Sequence, residues 1–260
     1  MDWSTRRKMG CFSFVGIIIA IVLAYFVYIF FIKTTPTCFD GVQNQDERGI
    51  DCGGICTLVC TADAKTIVPI WSRVFNTAGD VHSVVAYVEN QNITAGVKKI
   101  GYEFRIYDDQ NILAGEPISG TTFIGPNDKT AIFASPIKTG NRIPKNVFFK
   151  FTTAPEWITT SERYNTPQLN TANAVLTDEK TVPKISADVI NNTLYDYKDI
   201  QVVVILYGAD GNAVNASQTY IDTLPEQTTQ KVYFTWPKPF EVPITRIEII
   251  PRLNPFVQNQ

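Results

Sequence analysis

The sequence predicts a mainly β protein: an N-terminal transmembrane helix, a small disulfide-stapled segment, and two tandem antiparallel β-sandwich domains of the immunoglobulin or fibronectin kind. Three observations carry this prediction. An uncharged apolar run stands near the N-terminus. Four cysteines crowd into a short stretch behind it. The rest of the chain alternates apolar and polar residues between turn signals, and does so twice over.

The apolar run is Phe12 to Ile32, "FSFVGIIIAIVLAYFVYIFFI". About 20 such residues suffice to cross a hydrocarbon core of about 30 Å as a helix, and a buried soluble helix of that length would carry a polar stripe. Arg6, Arg7 and Lys8 precede the run and only Lys33 follows closely. The positive-inside rule then places residues 1–11 in the cytoplasm and everything after Lys33 outside. A cleavable signal would end in small residues; this run ends in Tyr28, Ile29, Phe30, Phe31 and Ile32, so an uncleaved single-pass anchor over 12–32 is expected. Cys11, ahead of the run, reads as an interfacial thiol.

Residues 38–60 hold Cys38, Cys52, Cys56 and Cys60. In an oxidising compartment an even count of closely spaced cysteines reads as two disulfides, whose pairing the spacing leaves open. The C-x13-C, C-x3-C and C-x3-C spacings lack the paired C-x-x-C or the histidines of a zinc site. Asp40, Asn44, Asp46, Glu47 and Asp51 offer hard oxygen ligands and form a candidate calcium site without EF-hand spacing. Turn chemistry at the Asp-Gly, Arg-Gly and Gly-Gly steps is the competing explanation. The stretch resembles a cysteine motif of many extracellular and cell-surface proteins, C-x-D-G-x-x-N-x-x-E-x-G-x-D-C-G-G-x-C-x-x-C, matched from Cys38 through Cys56; Cys60 comes one residue late. The resemblance implies a small surface-exposed module.

Past a short polar linker, Thr61 to Thr66, alternation sets in. "IGYEFRIY" puts Ile100, Tyr102, Phe104 and Ile106 on one face and Gly101, Glu103 and Arg105 on the other, the period of a half-buried strand. Comparing the chain with itself at an offset near 100 places Ala86, Val88 and Asn90 over Ala187, Val189 and Asn191. It also places Tyr107 over Tyr207, Phe133 over Phe234 and Pro136 over Pro237. "DDQNI" aligns with "ADGNAV" with one inserted residue. The expected sandwiches span 67–160 and 173–256, joined by a polar connection over Ser161 to Ala172, and the whole reads as a rod. Phe104-Arg105-Ile106-Tyr107-Asp108 resembles the F-x-L-Y-D signature of a bacterial extracytoplasmic β-sandwich family; the second copy, Val204 to Gly208, lacks its phenylalanine and aspartate. The resemblance implies a sandwich module outside the membrane, with no stated reaction.

Of 23 Lys and Arg and 25 Asp and Glu, Arg6, Arg7, Lys8, Lys33 and Asp2 belong to the N-terminal end, so 19 basic and 24 acidic side chains remain, a net charge of −5. Nucleic-acid binding wants a basic face, and none is expected. His82 is the one histidine, and no nucleophile elbow, Walker loop or dinucleotide fingerprint accompanies it, so no enzyme and no cofactor is expected. The run "DIQVVVILYG" is apolar on both faces, its second face being Val203, Ile205 and Tyr207. Two explanations compete: cover by a loop or the neighbouring sandwich, or a partner-binding face. The expected function is a non-catalytic binding, adhesion or scaffolding protein of the cell envelope, integral to the membrane and meeting a protein partner or surface ligand. One alternative is an accessory subunit of an envelope export or pilus-like assembly. The other is a carbohydrate-binding ectodomain using Trp71, Trp157 and Trp236. Asn92, Asn191 and Asn215 begin N-glycosylation tripeptides.

Overall fold

The computed structural model describes residues 3–29, 37–160, 164 and 168–257. The chain is mainly β, with several antiparallel sheets and two disulfides. It divides into two compact units, 1–55 and 56–260.

The first unit begins with α1, Trp3–Val27. Every described side chain from Phe12 to Ile29 is exposed. Among the described residues no helix is long and apolar enough to cross a membrane; Phe30, Phe31 and Ile32, the end of the expected span, lie outside them. Residues 37–55 form turns without a strand or helix.

The second unit holds two sandwiches built alike. In the first, β1 (Val68–Ala78), β2 (Val81–Asn90) and β5 (Asp128–Lys138) make one sheet in the order β1-β2-β5. The facing sheet has the order β4-β3-β6, from β4 (Ile118–Ile124), β3 (Ala95–Tyr107) and β6 (Asn146–Phe151), with β7 (Trp157–Thr159) also on β3. The second sandwich repeats this. Its sheets are β12-β9-β8, from β8 (Leu169–Thr177), β9 (Lys184–Asn191) and β12 (Thr229–Thr235), and β11-β10-β13, from β10 (Tyr197–Tyr207), β11 (Ala213–Leu224) and β13 (Arg246–Arg252). Apart from β7, the strand orders correspond one to one, as the self-comparison predicts.

Each sandwich closes on its own core. Val84, Ala86 and Val88 of β2 meet Ile100, Phe104 and Ile106 of β3, with Ile132, Phe149 and Trp157. Ile185, Ala187 and Val189 of β9 meet Val202, Val204 and Leu206 of β10, with Val232, Phe234 and Trp236. The predicted inward face of β3 is thus the buried one, and Glu103 on the other face pairs with Arg105 and Lys150. Fully burying each Val, Ile or Phe contributes about 1.5 to 3 kcal/mol by transfer.

Asn90 and Asn191 recur for a structural reason. Each is buried at the end of its strand, at 1 % and 0 % exposure. Asn90 Nδ2 donates to the carbonyls of Ala95 (2.8 Å) and Gly125 (2.6 Å). Asn191 Nδ2 donates to Tyr195 (2.7 Å), Leu224 (3.2 Å) and Pro225 (2.9 Å). Each oxygen accepts the amide two residues on, at 3.0 Å. One side chain therefore ties the turn that follows it to the turn between β4 and β5 in the first sandwich, and between β11 and β12 in the second.

Two boundaries and one turn differ from the sequence reading. The Thr61–Thr66 stretch is not a free linker: Thr61–Asp63 is a 3-10 turn, and Val59 and Ala64 pack on the first core. Leu58 bridges Ile158, the Thr159 amide donates to Thr57, and Lys65 exchanges two bonds with the Asn92 side chain. The second sandwich begins at Leu169, not at residue 173. β8 is an edge strand with most side chains exposed, so it shows no alternation to read. The turn after Tyr107 matches that after Tyr207 without an insertion. Asp108 and Gly208 donate their amides to Ile112 and Asn212, and Asn111 and Gly211 both take positive φ, at 59° and 75°.

Asn191→Ala removes bonds to three carbonyls; those of Tyr195 and Pro225 keep the Thr193 and Thr228 hydroxyls, while that of Leu224 is buried, so the substitution costs about 1 to 3 kcal/mol for a buried acceptor deprived of its donor. Urea denaturation of the full chain checks this; an unchanged midpoint would show that the turn holds itself.

Candidate functional site

The sites anticipated from the sequence are fastenings within the fold. Cys38, Cys52, Cys56 and Cys60 are all disulfide-bonded. Of the candidate calcium ligands, four are engaged inside their own loop. Asp51 accepts the amides of Asp40 (3.0 Å) and Gly41 (2.9 Å). Asp40 accepts those of Thr37 (3.0 Å) and Val42 (2.9 Å) and the Asn44 side chain, bonds that hold its carboxyl below the usual value. Glu47 accepts the amides of Asn44 and Asp51. Asp46 takes φ of 65°. Gly54 also has positive φ, and a Cβ there would meet the Asp46 carbonyl oxygen at 2.1 Å, so only glycine fits. The residue pattern of the cysteine stretch thus has a local cause: its acids cap backbone amides and its glycines make the turns.

The second face of β10 is not open to a partner. Val203, Ile205 and Tyr207 pack with Ala213, Ala216 and Ile250 against Phe75, Val85 and Ala131 of the first sandwich. The β1-β2-β5 sheet therefore lies on β11-β10-β13, and the two sandwiches stand side by side, not end to end as a rod. The partner-face expectation is corrected: the patch is apolar because the same chain covers it. The tryptophans are likewise occupied. Trp157 and Trp236 are 2 % and 3 % exposed, and Trp71 stacks on Tyr87 with centroids 5.5 Å apart.

Polar groups fasten this interface at specific points. Glu248 accepts Tyr87 Oη from the first sandwich at 2.8 Å and Tyr207 Oη at 2.6 Å, and Arg246 pairs with it at 3.1 Å. Burial, and then the Glu248 bond, push the Tyr207 phenol up to about 12 and Tyr87 further. Arg252, 6 % exposed, donates to Thr130 and Thr122 of the first sandwich (2.9 and 2.7 Å), to the Phe123 carbonyl (3.1 Å) and to Gln201 (2.7 Å). Burial lowers its pKa, and the nearby Asp128 charge opposes that. His82 is buried against the Asp80 carbonyl (3.0 Å) and Asn76 (3.1 Å), with its pKa lowered by desolvation. Asp108 caps the amides of Gln110 and Ile112 and pairs with Arg142 at 2.7 Å.

Of the sequons, Asn191 is fully buried. Asn92 is engaged with Lys65, and Asn215 Oδ1 accepts Trp236 Nε1 at 2.9 Å.

A cleft of about 590 Å³ opens between the sandwiches, lined by β1 from Ser72 to Thr77, by 145–147, by the start of β11 and by residues between 236 and 242. Sequence reasoning missed it because its walls come from four separated segments and none carries a motif.

No known family model matches the chain, and no curated protein shows significant similarity to it.

Ile205→Lys places an unpaired ammonium in the dry interface, which costs several kcal/mol; a mutant as stable as the parent by thermal denaturation would contradict the packing. The tyrosine phenols give an alkaline limit. Their folded pKa values lie above the ordinary value of 10.0, so their contribution is intact below about pH 10 and is lost as pH rises towards about 12. Phe substitution at Tyr87 and Tyr207 should remove most of that decline in a stability–pH series.

Proposed function

We propose that the chain is a single-pass membrane protein of the cell envelope whose extracytoplasmic part is a non-catalytic binding or scaffolding body. The observation that carries this is the apolar run that α1 contains and the residues after it extend in sequence. The uncharged run of 21 residues from Phe12 to Ile32 follows Arg6, Arg7 and Lys8, and its described side chains are exposed all round. A helix apolar on every side needs a core or a bilayer, and as a helix the full run reaches about 30 Å at 1.5 Å per residue. The two disulfides add a second support, because such bonds persist in oxidising compartments. The cytoplasmic end is then residues 1–11, and residues from Thr34 onward lie outside.

We read the sandwiches as immunoglobulin-like, and Phe104 to Asp108 as a member of the F-x-L-Y-D pattern, with Phe104 and Ile106 packing inward and Asp108 closing the turn. The non-catalytic reading rests on how the titratable groups are used: Glu248, Arg252, His82 and Asp108 are each committed to bonds that hold elements together. Neither alternative from the sequence is favoured, since the apolar face and the three tryptophans that motivated them pack inside the chain.

Topology is the test. A tag fused after Gln260 should be digested by protease added to intact cells, or to spheroplasts if an outer membrane intervenes. The protein should stay with the membrane in alkaline carbonate, and Cys38, Cys52, Cys56 and Cys60 should resist alkylation until reduced. A shielded tag or freely alkylated thiols would overturn the assignment.

A further inference from the structure

We infer that the cleft between the sandwiches binds an extended acidic polypeptide segment, seated along the open edge of β1; this rests on the proposed binding role and names its ligand class. Two independent observations converge there.

The first is charge. Arg73, Lys145 and Lys238 line the cleft with Glu241 as the one carboxylate, on a chain whose formal net charge is −2. Among the described residues none of the three cations is in an ion pair. Arg73 donates to the Ala213 carbonyl at 3.0 Å and to Asn212 Oδ1 at 2.5 Å. Lys238 donates to Asn76 Oδ1. These partners are neutral oxygens, so the positive charge is oriented but not cancelled. The nearby Asp210 carboxyl is held low mainly by Asn212, with the Arg73 charge the weakest contribution. The Lys145 and Lys238 side chains are exposed. A partner bearing carboxylates would meet preset cations.

The second is backbone. β1 pairs with β2 alone, β6 with β3 alone and β11 with β10 alone among the described strands. Residues of all three strands line the cleft. Two of their carbonyls are closed by side chains in place of a neighbouring strand: Ser72 Oγ donates to the Val147 carbonyl at 2.9 Å, and Arg73 to that of Ala213. Ser72 to Thr77 presents about 20 Å of edge at about 3.3 Å per residue. Open edges recognise extended peptides by main-chain bonds, with flanking side chains setting specificity. An acidic glycan would use the cations but has no need of the edges, so the peptide fits both observations.

The test uses the full chain in detergent micelles. The probes are a short end-blocked fluorescent peptide alternating glutamate and threonine, its lysine–threonine counterpart, and oligogalacturonate. The glutamate peptide should bind at least about tenfold more tightly than the lysine peptide, and binding should weaken about tenfold between about 50 mM and 500 mM salt as screening grows. Lys145→Glu should weaken it about fivefold without moving the thermal midpoint, since this exposed side chain fastens no element. Equal binding of the two peptides, no binding of either, or an unchanged affinity in Lys145→Glu would overturn the inference. Oligogalacturonate binding without peptide binding would transfer the cleft to acidic glycans and leave the membrane-anchored binding role standing. A shielded C-terminal tag would remove that role whatever the peptide does.

Discussion

The second unit depends on one contact, the burial of the β1-β2-β5 sheet on the β11-β10-β13 sheet. Each of these sheets already covers a core with one face. The other face would be apolar surface in water if the sandwiches were separate. Phe75, Val85 and Ala131 on one side and Val203, Ile205 and Tyr207 on the other remove that surface together. The contact explains why β10 is apolar on both faces while β3, its counterpart, carries Glu103 and Arg105 on one. β3 faces solvent there and β10 does not. The duplication is thus symmetric in topology and asymmetric in burial: the first sandwich uses its β1-β2-β5 face, and the second uses the face of its other sheet.

Apolar contact alone leaves two flat sheets free to slide. The buried polar groups set the register, because each has partners in only one position and an unpaired buried polar group is costly. Glu248 needs both Tyr87 and Tyr207. Arg252 needs the hydroxyls of Thr122 and Thr130 and the amide oxygen of Gln201. Removing one partner of such a buried cation costs more than the pair contributes over an apolar replacement. The same logic operates within each sandwich, where Asn90 and Asn191 fix turns by serving carbonyls that no strand reaches. The cleft is a by-product of this docking. Fixing two sheets face to face brings the edges of β1, β6 and β11 together, and their side chains carry the uncancelled charge.

The cysteine-rich stretch solves its folding problem differently. It has too few apolar residues to build a core, so bonds within the chain replace burial. Disulfides close the loop, Asp40, Glu47 and Asp51 gather backbone amides, and glycines take the positive φ values that the turns require. This chemistry is local and legible in the sequence as turn chemistry. The acids read equally well as cation ligands in sequence, because the same oxygens can serve an amide or an ion.

By itself the sequence determined what depends on near neighbours: strand alternation in "IGYEFRIY", the repeat at an offset near 100, the paired asparagines and the oxidised cysteines. Side-chain period and turn preference are written within a few residues, so they survive reading in one dimension. It could not determine the start of β8, whose edge position leaves no alternation, nor the gap-free match of the two Tyr turns, where Asn111 and Gly211 share a conformation but not a side chain. Above all it left two explanations for Val203, Ile205 and Tyr207, a partner or a neighbour. The tertiary structure decided for the neighbour, because an apolar face records that it must be covered and carries no mark of which surface, far along the chain, will cover it.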